Sequence, residues 1–157
     1  MTLSRADLRP YQQRAVEWIK SHDHCALWMD MGLGKTVQAL AALEHSRRLV
    51  HPSFEVADAL VVTTNSMKYK WAEEAAVWAP SWRTTVIDGS ADKRRKQIAD
   101  APEGTLFVIN WESLRIHSRL AGFGSISLTA AEKQEKDFNL RDIRVVIADE
   151  EIGRAHV

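Results

Sequence analysis

One short segment constrains this chain more than any other, and it reads Asp30-Met31-Gly32-Leu33-Gly34-Lys35-Thr36. It follows an apolar run at residues 25–29 and precedes a helical pattern that extends from Thr36 to about residue 48. Glycines let backbone N–H groups approach phosphate oxygens, and a helix N-terminus adds its positive dipole end. A lysine at this place reaches β- and γ-phosphates, and the threonine hydroxyl can bind Mg²⁺. The segment therefore predicts a phosphate-binding loop, here called the glycine loop, between a short buried strand and a helix.

The glycine loop departs from the general pattern G-x-x-x-x-G-K-[ST], because Met29 occupies the position of the first glycine. An ordinary strand–turn–helix unit is the alternative interpretation. Further parts of a nucleotide site elsewhere in the chain are needed to choose between the two.

Composition limits the classes of protein to consider. The chain has 157 residues and is 45% hydrophobic, which fits one globular domain. Its 21 basic and 21 acidic residues cancel, so any binding to nucleic acid must be local. The single cysteine, Cys25, lies in the apolar run and is predicted to be a small buried hydrophobe. No signal peptide or membrane-length apolar stretch is visible, so we expect a cytoplasmic protein that does not enter a membrane.

Helical and strand patterns alternate along the chain, which predicts an α/β fold with a parallel sheet and helices on both faces. Helices are expected over residues 8–20, 36–48, 67–78, 91–99 and 111–120. Strands are expected over residues 25–29, 59–63, 84–87, 105–109 and 144–148. A surface excursion is predicted over residues 121–142, and the basic run at residues 93–96 is predicted to be a solvated helix face.

A pair of carboxylates, Asp149-Glu150, ends the last apolar strand. In a nucleotide site the first could hold Mg²⁺ and the second could orient the attacking water. A buried strand that runs into solvated acids is the alternative. The glycine loop on the same predicted sheet favours the functional interpretation.

Five segments resemble, in the family's order, the motifs of superfamily 2 helicases and, within them, the Swi/Snf-type DNA translocases and their phage and bacterial relatives. They are residues 8–12, 30–36, 60–67 with Trp71, 108–114 and 149–150. The resemblance implies a RecA-like P-loop NTPase domain that uses ATP and Mg²⁺. It also implies ATP hydrolysis coupled to movement on DNA, with duplex DNA favoured over single-stranded DNA.

The resemblance also implies roles for single residues. Gln12 would read the adenine edge, Lys35 and Glu150 would be catalytic, and Thr36 and Asp149 would hold Mg²⁺. Nucleic acid would contact Thr64, Asn65 and Ser66, although the family often has proline in place of Thr64. A solvated helix glutamine and a loop-capping role for residues 64–66 are the alternatives. The nucleotide-binding set is Gln12, Met31, Gly32, Leu33, Gly34, Lys35 and Thr36.

The family motif continues with Ala-His after Asp149-Glu150, whereas residues 151–157 match the translation of a common sequencing-adapter read. We therefore expect a partial first RecA-like domain at residues 1–150 and a non-native tail at residues 151–157. Superfamily 2 motors hydrolyse ATP between two lobes, so this portion alone is expected to be inactive. A strand-separating helicase of another branch and a non-catalytic ATP-binding or interaction module are the alternatives.

Overall fold

The computed structural model describes residues 7–49, 57–118 and 137–149. Within these ranges the α-helices are α1 (Pro10–Lys20), α2 (Lys35–Leu49), α3 (Lys68–Trp78), α4 (Ala91–Asp100) and α5 (Trp111–His117). The strands are β1 (Asp58–Thr63), β2 (Arg83–Val86), β3 (Thr105–Asn110) and β4 (Ile143–Ala148). Short 3₁₀ turns at Asn65–Met67 and Asp137–Leu140 precede α3 and β4.

The four strands form one parallel sheet in the order β2-β3-β1-β4. Val61 of the central strand β1 pairs with Val108 of β3 on one side and with Ile147 of the outer strand β4 on the other. Because all strands run the same way, their carboxyl ends meet at one edge of the sheet. The predicted parallel α/β architecture is confirmed.

Helices cover both faces of the sheet, and the alternation along β1 shows how they are divided. Ala59 and Val61 pack with side chains of α2 and α3, whereas Leu60 and Val62 pack with side chains of α4 and α5. All four are buried, as are the residues of β3 beside them. The central strands are therefore apolar on both faces, as expected for a covered parallel sheet.

Two local signals from the sequence are found at helix starts in the structure. Pro10 is the first residue of α1, where its missing N–H costs little. The Ser90 hydroxyl accepts a hydrogen bond from the Lys93 backbone N–H at 3.3 Å and caps α4. Within the described ranges, none of the helices combines the length and the apolar character needed to cross a bilayer.

The prediction of a buried strand at residues 25–29 was wrong. These residues have no strand assignment, Cys25 is exposed rather than buried, and Trp28 is 93% exposed. An apolar run indicates a preference for burial, but a strand also needs a neighbour that offers backbone hydrogen bonds. Within the described sheet, residues 25–29 are paired with none of the four strands, and Cys25, Ala26 and Trp28 are exposed.

Most of the predicted excursion at residues 121–142 lies outside the described residues. Its end is not a solvated surface, because Phe138 is buried and its ring meets Phe107 edge-on at 5.4 Å between centroids. Along the basic run, Arg94 departs from the predicted solvated face. Its guanidinium turns inward to His117, whereas Lys93, Arg95 and Lys96 are exposed.

Candidate nucleotide-binding site

The glycine loop has the backbone geometry that its sequence predicts. Gly32 and Gly34 have φ angles of 79° and 78°, a region that favours glycine over residues with a side chain. The first hydrogen bond of α2 joins the Gln38 N–H to the Gly34 carbonyl at 3.0 Å. The loop therefore leads directly into the N-terminus of a 15-residue helix, where anions bind favourably.

The Lys35 side chain folds back over the glycine loop. Its ammonium donates to the carbonyl oxygens of Met29 at 2.8 Å and Asp30 at 3.1 Å. Lys35 and Thr36 are half-buried, whereas Met31 is 79% exposed. Two carbonyl oxygens thus occupy the acceptor positions that phosphate oxygens could take.

Two helices hold the loop through the Leu33 carbonyl. This oxygen accepts from the Tyr11 hydroxyl at 3.3 Å, the Gln12 Nε2 at 3.4 Å and the Gln38 Nε2 at 2.9 Å. A Cβ atom added to Gly34 would lie 2.5 Å from the Gln12 Nε2, so the amide sits directly on the loop. The structure therefore brings Gln12 to the predicted phosphate site, and its contact with adenine stays a prediction. Tyr11 and Gln38 were not predicted to take part.

Asp149 lies at the carboxyl edge of the sheet, directly after β4. Its backbone N–H donates to the Val62 carbonyl at 2.8 Å, which extends the pairing with β1. Its Oδ2 atom accepts two hydrogen bonds, from the Thr63 hydroxyl at 3.0 Å and from the Trp71 Nε1 at 2.7 Å. Neither bond uses Oδ1.

Residues 64–66 leave the sheet beside Asp149. The Thr64 and Ser66 hydroxyls lie 3.3 Å apart, a contact of the kind that loop capping predicts. Asn65 and Ser66 are exposed, which a contact with a ligand requires. Both interpretations of this loop therefore stay open.

The first turn of α3 also binds a second carboxylate, which sequence reasoning missed. The Lys68 ammonium, 2% exposed, donates to Asp88 Oδ1 at 2.9 Å, and the Tyr69 hydroxyl donates to Asp88 Oδ2 at 2.7 Å. These two hydrogen bonds, Tyr69 first, hold the pKa of Asp88 well below its usual range. A buried lysine needs an anionic partner, but the sequence does not show that Lys68 is buried and Lys70 is exposed, so it carried no signal for this pair.

The candidate metal ligands, the Thr36 hydroxyl at the start of α2 and the Asp149 carboxylate after β4, are of the type that Mg²⁺ prefers. A threonine hydroxyl and a carboxylate are hard ligands, and Mg²⁺ is usually bound by one or two carboxylates together with nucleotide phosphates. Asp149 is oriented and keeps Oδ1 outside its bonds to Thr63 and Trp71, so Thr36 and Asp149 fit this ion. Among the described residues, no hydrogen bond or ion pair links the glycine loop to Asp149. Glu150 lies outside them.

A glycine loop at a helix N-terminus and an acidic strand end, in one domain built on a parallel sheet, are the signature of a P-loop nucleotide-binding domain. Residues 11–152 match the family model of the SNF2-related domain, so the chain belongs to that family. This match confirms the Swi/Snf-type resemblance and, with it, the class of ATP-dependent helicases and translocases.

Several curated proteins are similar to the chain. It is 33% identical over 99 residues to a probable ATP-dependent DNA helicase, CHR23, of Arabidopsis thaliana, in an alignment that covers 59% of the chain and 9% of that protein. It is 30% identical over 106 residues to the transcription regulatory protein SNF2 of Saccharomyces cerevisiae, covering 65% and 6%. It is 29% identical over 123 residues to the TATA-binding protein-associated factor mot1 of Aspergillus fumigatus, covering 71% and 6%. The chain thus spans less than a tenth of each relative.

Proposed function

We propose that this chain is the ATP-binding part of the first RecA-like lobe of an SNF2-type motor. In the whole protein, this lobe would serve ATP hydrolysis coupled to movement on duplex DNA. One observation carries the proposal. The glycine loop that leads into α2 and the oriented carboxylate of Asp149 after β4 belong to one domain with a parallel sheet, and the chain is a member of the SNF2-related family.

The chain's own residues can hold ATP and Mg²⁺ in a defined way. Backbone N–H groups of the glycine loop would bind the phosphates, and Lys35 would exchange its two carbonyl acceptors for phosphate oxygens. Thr36 and Asp149 would bind Mg²⁺, which would neutralise phosphate charge when bound. Glu150, the proposed partner of the attacking water, follows Asp149 directly in the sequence.

Gln12 keeps the groups that adenine recognition needs. Its Nε2 donates one hydrogen to the Leu33 carbonyl, and its Oε1 accepts from the Arg9 backbone N–H at 2.9 Å. A primary amide carries two hydrogens on nitrogen and two lone pairs on oxygen. One donor and one acceptor therefore remain, which is the pair that an amide presents to adenine.

Nucleic acid would bind along residues 64–66. Hydroxyl, amide and backbone N–H groups contact phosphates without reading sequence. The chain has no net charge, so these contacts would be local and would not arise from a general basic surface.

The resemblance supports the finer parts of the proposal. A second RecA-like lobe with an arginine finger would complete the site in the parent protein, and a finger of this kind is worth ~10³–10⁵ in rate. We further propose a phage or bacterial type of enzyme that works in the bacterial or infected-host cytoplasm. The named relatives above are eukaryotic.

Calorimetric titration with ATP and Mg²⁺ tests the nucleotide site. We expect Lys35→Ala to weaken binding by ~10–100-fold, because it removes a charge-assisted hydrogen bond to phosphate. Lys93→Ala is the matched control, since Lys93 is an exposed lysine on α4, and it should bind like the wild type. Equal binding by Lys35→Ala and the wild type would contradict the site assignment.

Duplex binding tests the nucleic-acid loop separately. A variant with alanine at Thr64, Asn65 and Ser66 should bind a labelled DNA duplex more weakly than the wild type, while its affinity for ATP is unchanged. Glu103→Gln changes an exposed residue just before β3, at the opposite edge of the sheet, and serves as the control. Unchanged DNA affinity in the triple variant would assign residues 64–66 to loop capping alone.

A further inference from the structure

We infer that Thr63 and Trp71 are positioning residues that fix the carboxylate of Asp149 and thereby decide which of its oxygens meets the metal. The inference concerns the same site as the proposed function and, for its metal part, rests on it. The family resemblance does not imply this positioning role. It places Trp71 in a motif without a function and gives Thr63 no role.

Two donors converge on one oxygen. The Trp71 Nε1–H lies 2.7 Å from Asp149 Oδ2, and the Thr63 Oγ1–H lies 3.0 Å from the same atom. Two bonds to Oδ2 restrict the rotation of the carboxylate about its last torsion. Oδ1 takes no part in either bond and is the oxygen left to bind the ion or its water.

Both donors are held rigidly by their surroundings. Thr63 is fully buried at the end of β1, and Trp71 is 2% exposed, with its ring in the core cluster that includes Leu40, Val61 and Ala75. The backbone of Asp149 is held too, through its N–H bond to the Val62 carbonyl. A donor that cannot change its rotamer keeps the acceptor in one orientation, as partners of metal ligands commonly do.

The other carboxylate bound by α3 provides a comparison. Asp88 uses both oxygens within the protein, Oδ1 for Lys68 and the Gly89 N–H and Oδ2 for Tyr69. Such a carboxylate has little capacity left for a ligand. Asp149 is bound through one oxygen only, which is the arrangement expected of a metal ligand with its supports in place.

Nuclear magnetic resonance of ¹⁵N-labelled indole groups tests the hydrogen bond without requiring any ligand. Trp71→Phe assigns the Trp71 signal by its disappearance, and Trp78→Phe assigns a half-buried tryptophan on the same helix as a control. We expect Asp149→Asn to move the Trp71 indole proton upfield and to leave the Trp78 signal in place. An unmoved Trp71 signal would overturn the inference.

A second test uses Mn²⁺ as a paramagnetic probe in the presence of ATP. Thr63→Val removes one donor at nearly constant volume and should weaken Mn²⁺ binding by ~10–100-fold, while ATP affinity without metal is unchanged. Thr63→Ser restores the hydroxyl and should restore the affinity, a rescue that a purely structural role of the side chain does not predict. Wild-type Mn²⁺ affinity in Thr63→Val would overturn the positioning role.

The two tests separate the inference from the proposed function. If the wild-type chain bound neither ATP nor Mn²⁺–ATP, the proposed function would fail. The indole signal would still decide whether Trp71 and Thr63 fix Asp149, because that measurement needs no nucleotide. If Thr63→Val unfolds, Trp71→Phe, which removes the other donor to Asp149 Oδ2, takes its place in the Mn²⁺ titration.

Discussion

Arg141 binds both carboxylate oxygens of Asp58 at the amino-terminal ends of the strands, whereas the candidate nucleotide site lies at their carboxyl ends. The Nε–Oδ2 distance is 2.7 Å and the Nη2–Oδ1 distance is 3.1 Å, and both side chains are largely buried. Asp58 also accepts from the Thr105 N–H, and Arg141 donates to the Ala101 carbonyl at 2.6 Å. The guanidinium lies 5.1 Å from the centroid of the Phe107 ring. One side chain thus joins β1, β3, the end of α4 and the segment before β4.

Replacing Arg141 should therefore destabilise the fold strongly. We expect Arg141→Met to lower the free energy of unfolding by ~3–5 kcal/mol, because it leaves the carboxylate of Asp58 buried without its cation. Urea denaturation measures the change. Arg144→Met is the control, since Arg144 pairs with Asp142 on the surface, and such pairs are worth ~1 kcal/mol or less. Equal losses in the two variants would contradict the structural role of Arg141.

Asp88 should make stability depend on pH in the acid range. Hydrogen bonds from Tyr69 and Lys68 lower the pKa of Asp88 in the folded chain, so its stabilisation is present above the ordinary value of about 4 and is lost as the pH falls below it. We expect Asp88→Asn to be less stable than the wild type at pH 7 and the gap to narrow below about pH 4. Unfolding curves at several pH values measure this, and a constant gap would contradict it.

His117 should contribute a second, separate pH dependence. Burial lowers the pKa of His117, although Asp137 beside it acts in the opposite direction, and Arg94 and Arg95 add to the lowering. The unfolded chain then binds a proton more readily, so stability should fall as the pH drops below about 6.5. The slope for one proton cannot exceed ~1.4 kcal/mol per pH unit.

The geometry around His117 explains why the neutral ring is favoured. Arg94 Nε donates to His117 Nε2 at 3.0 Å, so this nitrogen accepts and Nδ1 donates to the Asp137 carboxylate. A proton on Nε2 would face the guanidinium. His117→Gln should flatten the slope between about pH 6.5 and 5, which unfolding curves at several pH values measure. Identical slopes in His117→Gln and the wild type would disprove the assignment.

The two glycines of the loop allow a matched comparison. Both have positive φ, which costs ~1–2 kcal/mol for a residue with a side chain. An added Cβ meets nothing within 4 Å at Gly32 but lies 2.5 Å from the Gln12 amide at Gly34. We therefore expect Gly34→Ala to displace Gln12 from the Leu33 carbonyl and to weaken ATP binding more than Gly32→Ala does. Titration calorimetry measures both, and equal effects would show that the contact with Gln12 is unimportant.

The fold could be predicted well from the chain because its signals are local. Apolar runs, Pro10 and Ser90 gave the helices and strands to within a few residues, and their alternation gave the parallel sheet. The run at residues 25–29 has the same apolar character as β1, yet it forms no strand. Composition could not reveal that difference, because strand formation depends on a neighbour that lies far away in sequence.

The candidate site was predicted only as far as its motifs reach. The glycine loop leads into α2 and Asp149 follows β4, as predicted, but the strand predicted before the loop is absent, and the contact of Gln12 with adenine stays a prediction. The contacts of Trp71 were missed, because tryptophans at amphipathic positions usually indicate packing. Trp71 does pack in the core, but its N–H also bonds a carboxylate 78 positions away, a separation that periodicity cannot resolve.

Thr63 stands immediately before residues 64–66 and Trp71 stands shortly after them, so Asp149 is bonded from both ends of one short stretch of backbone. Any ligand that shifts this stretch would also turn the carboxylate. Thermodynamic linkage then requires the effect to be mutual: whatever occupancy of the loop does to metal affinity at Asp149, the metal does by the same factor to the affinity of the loop. If residues 64–66 contact nucleic acid as proposed, the two hydrogen bonds to Asp149 would couple that contact to the nucleotide site through a few residues of β1 and α3.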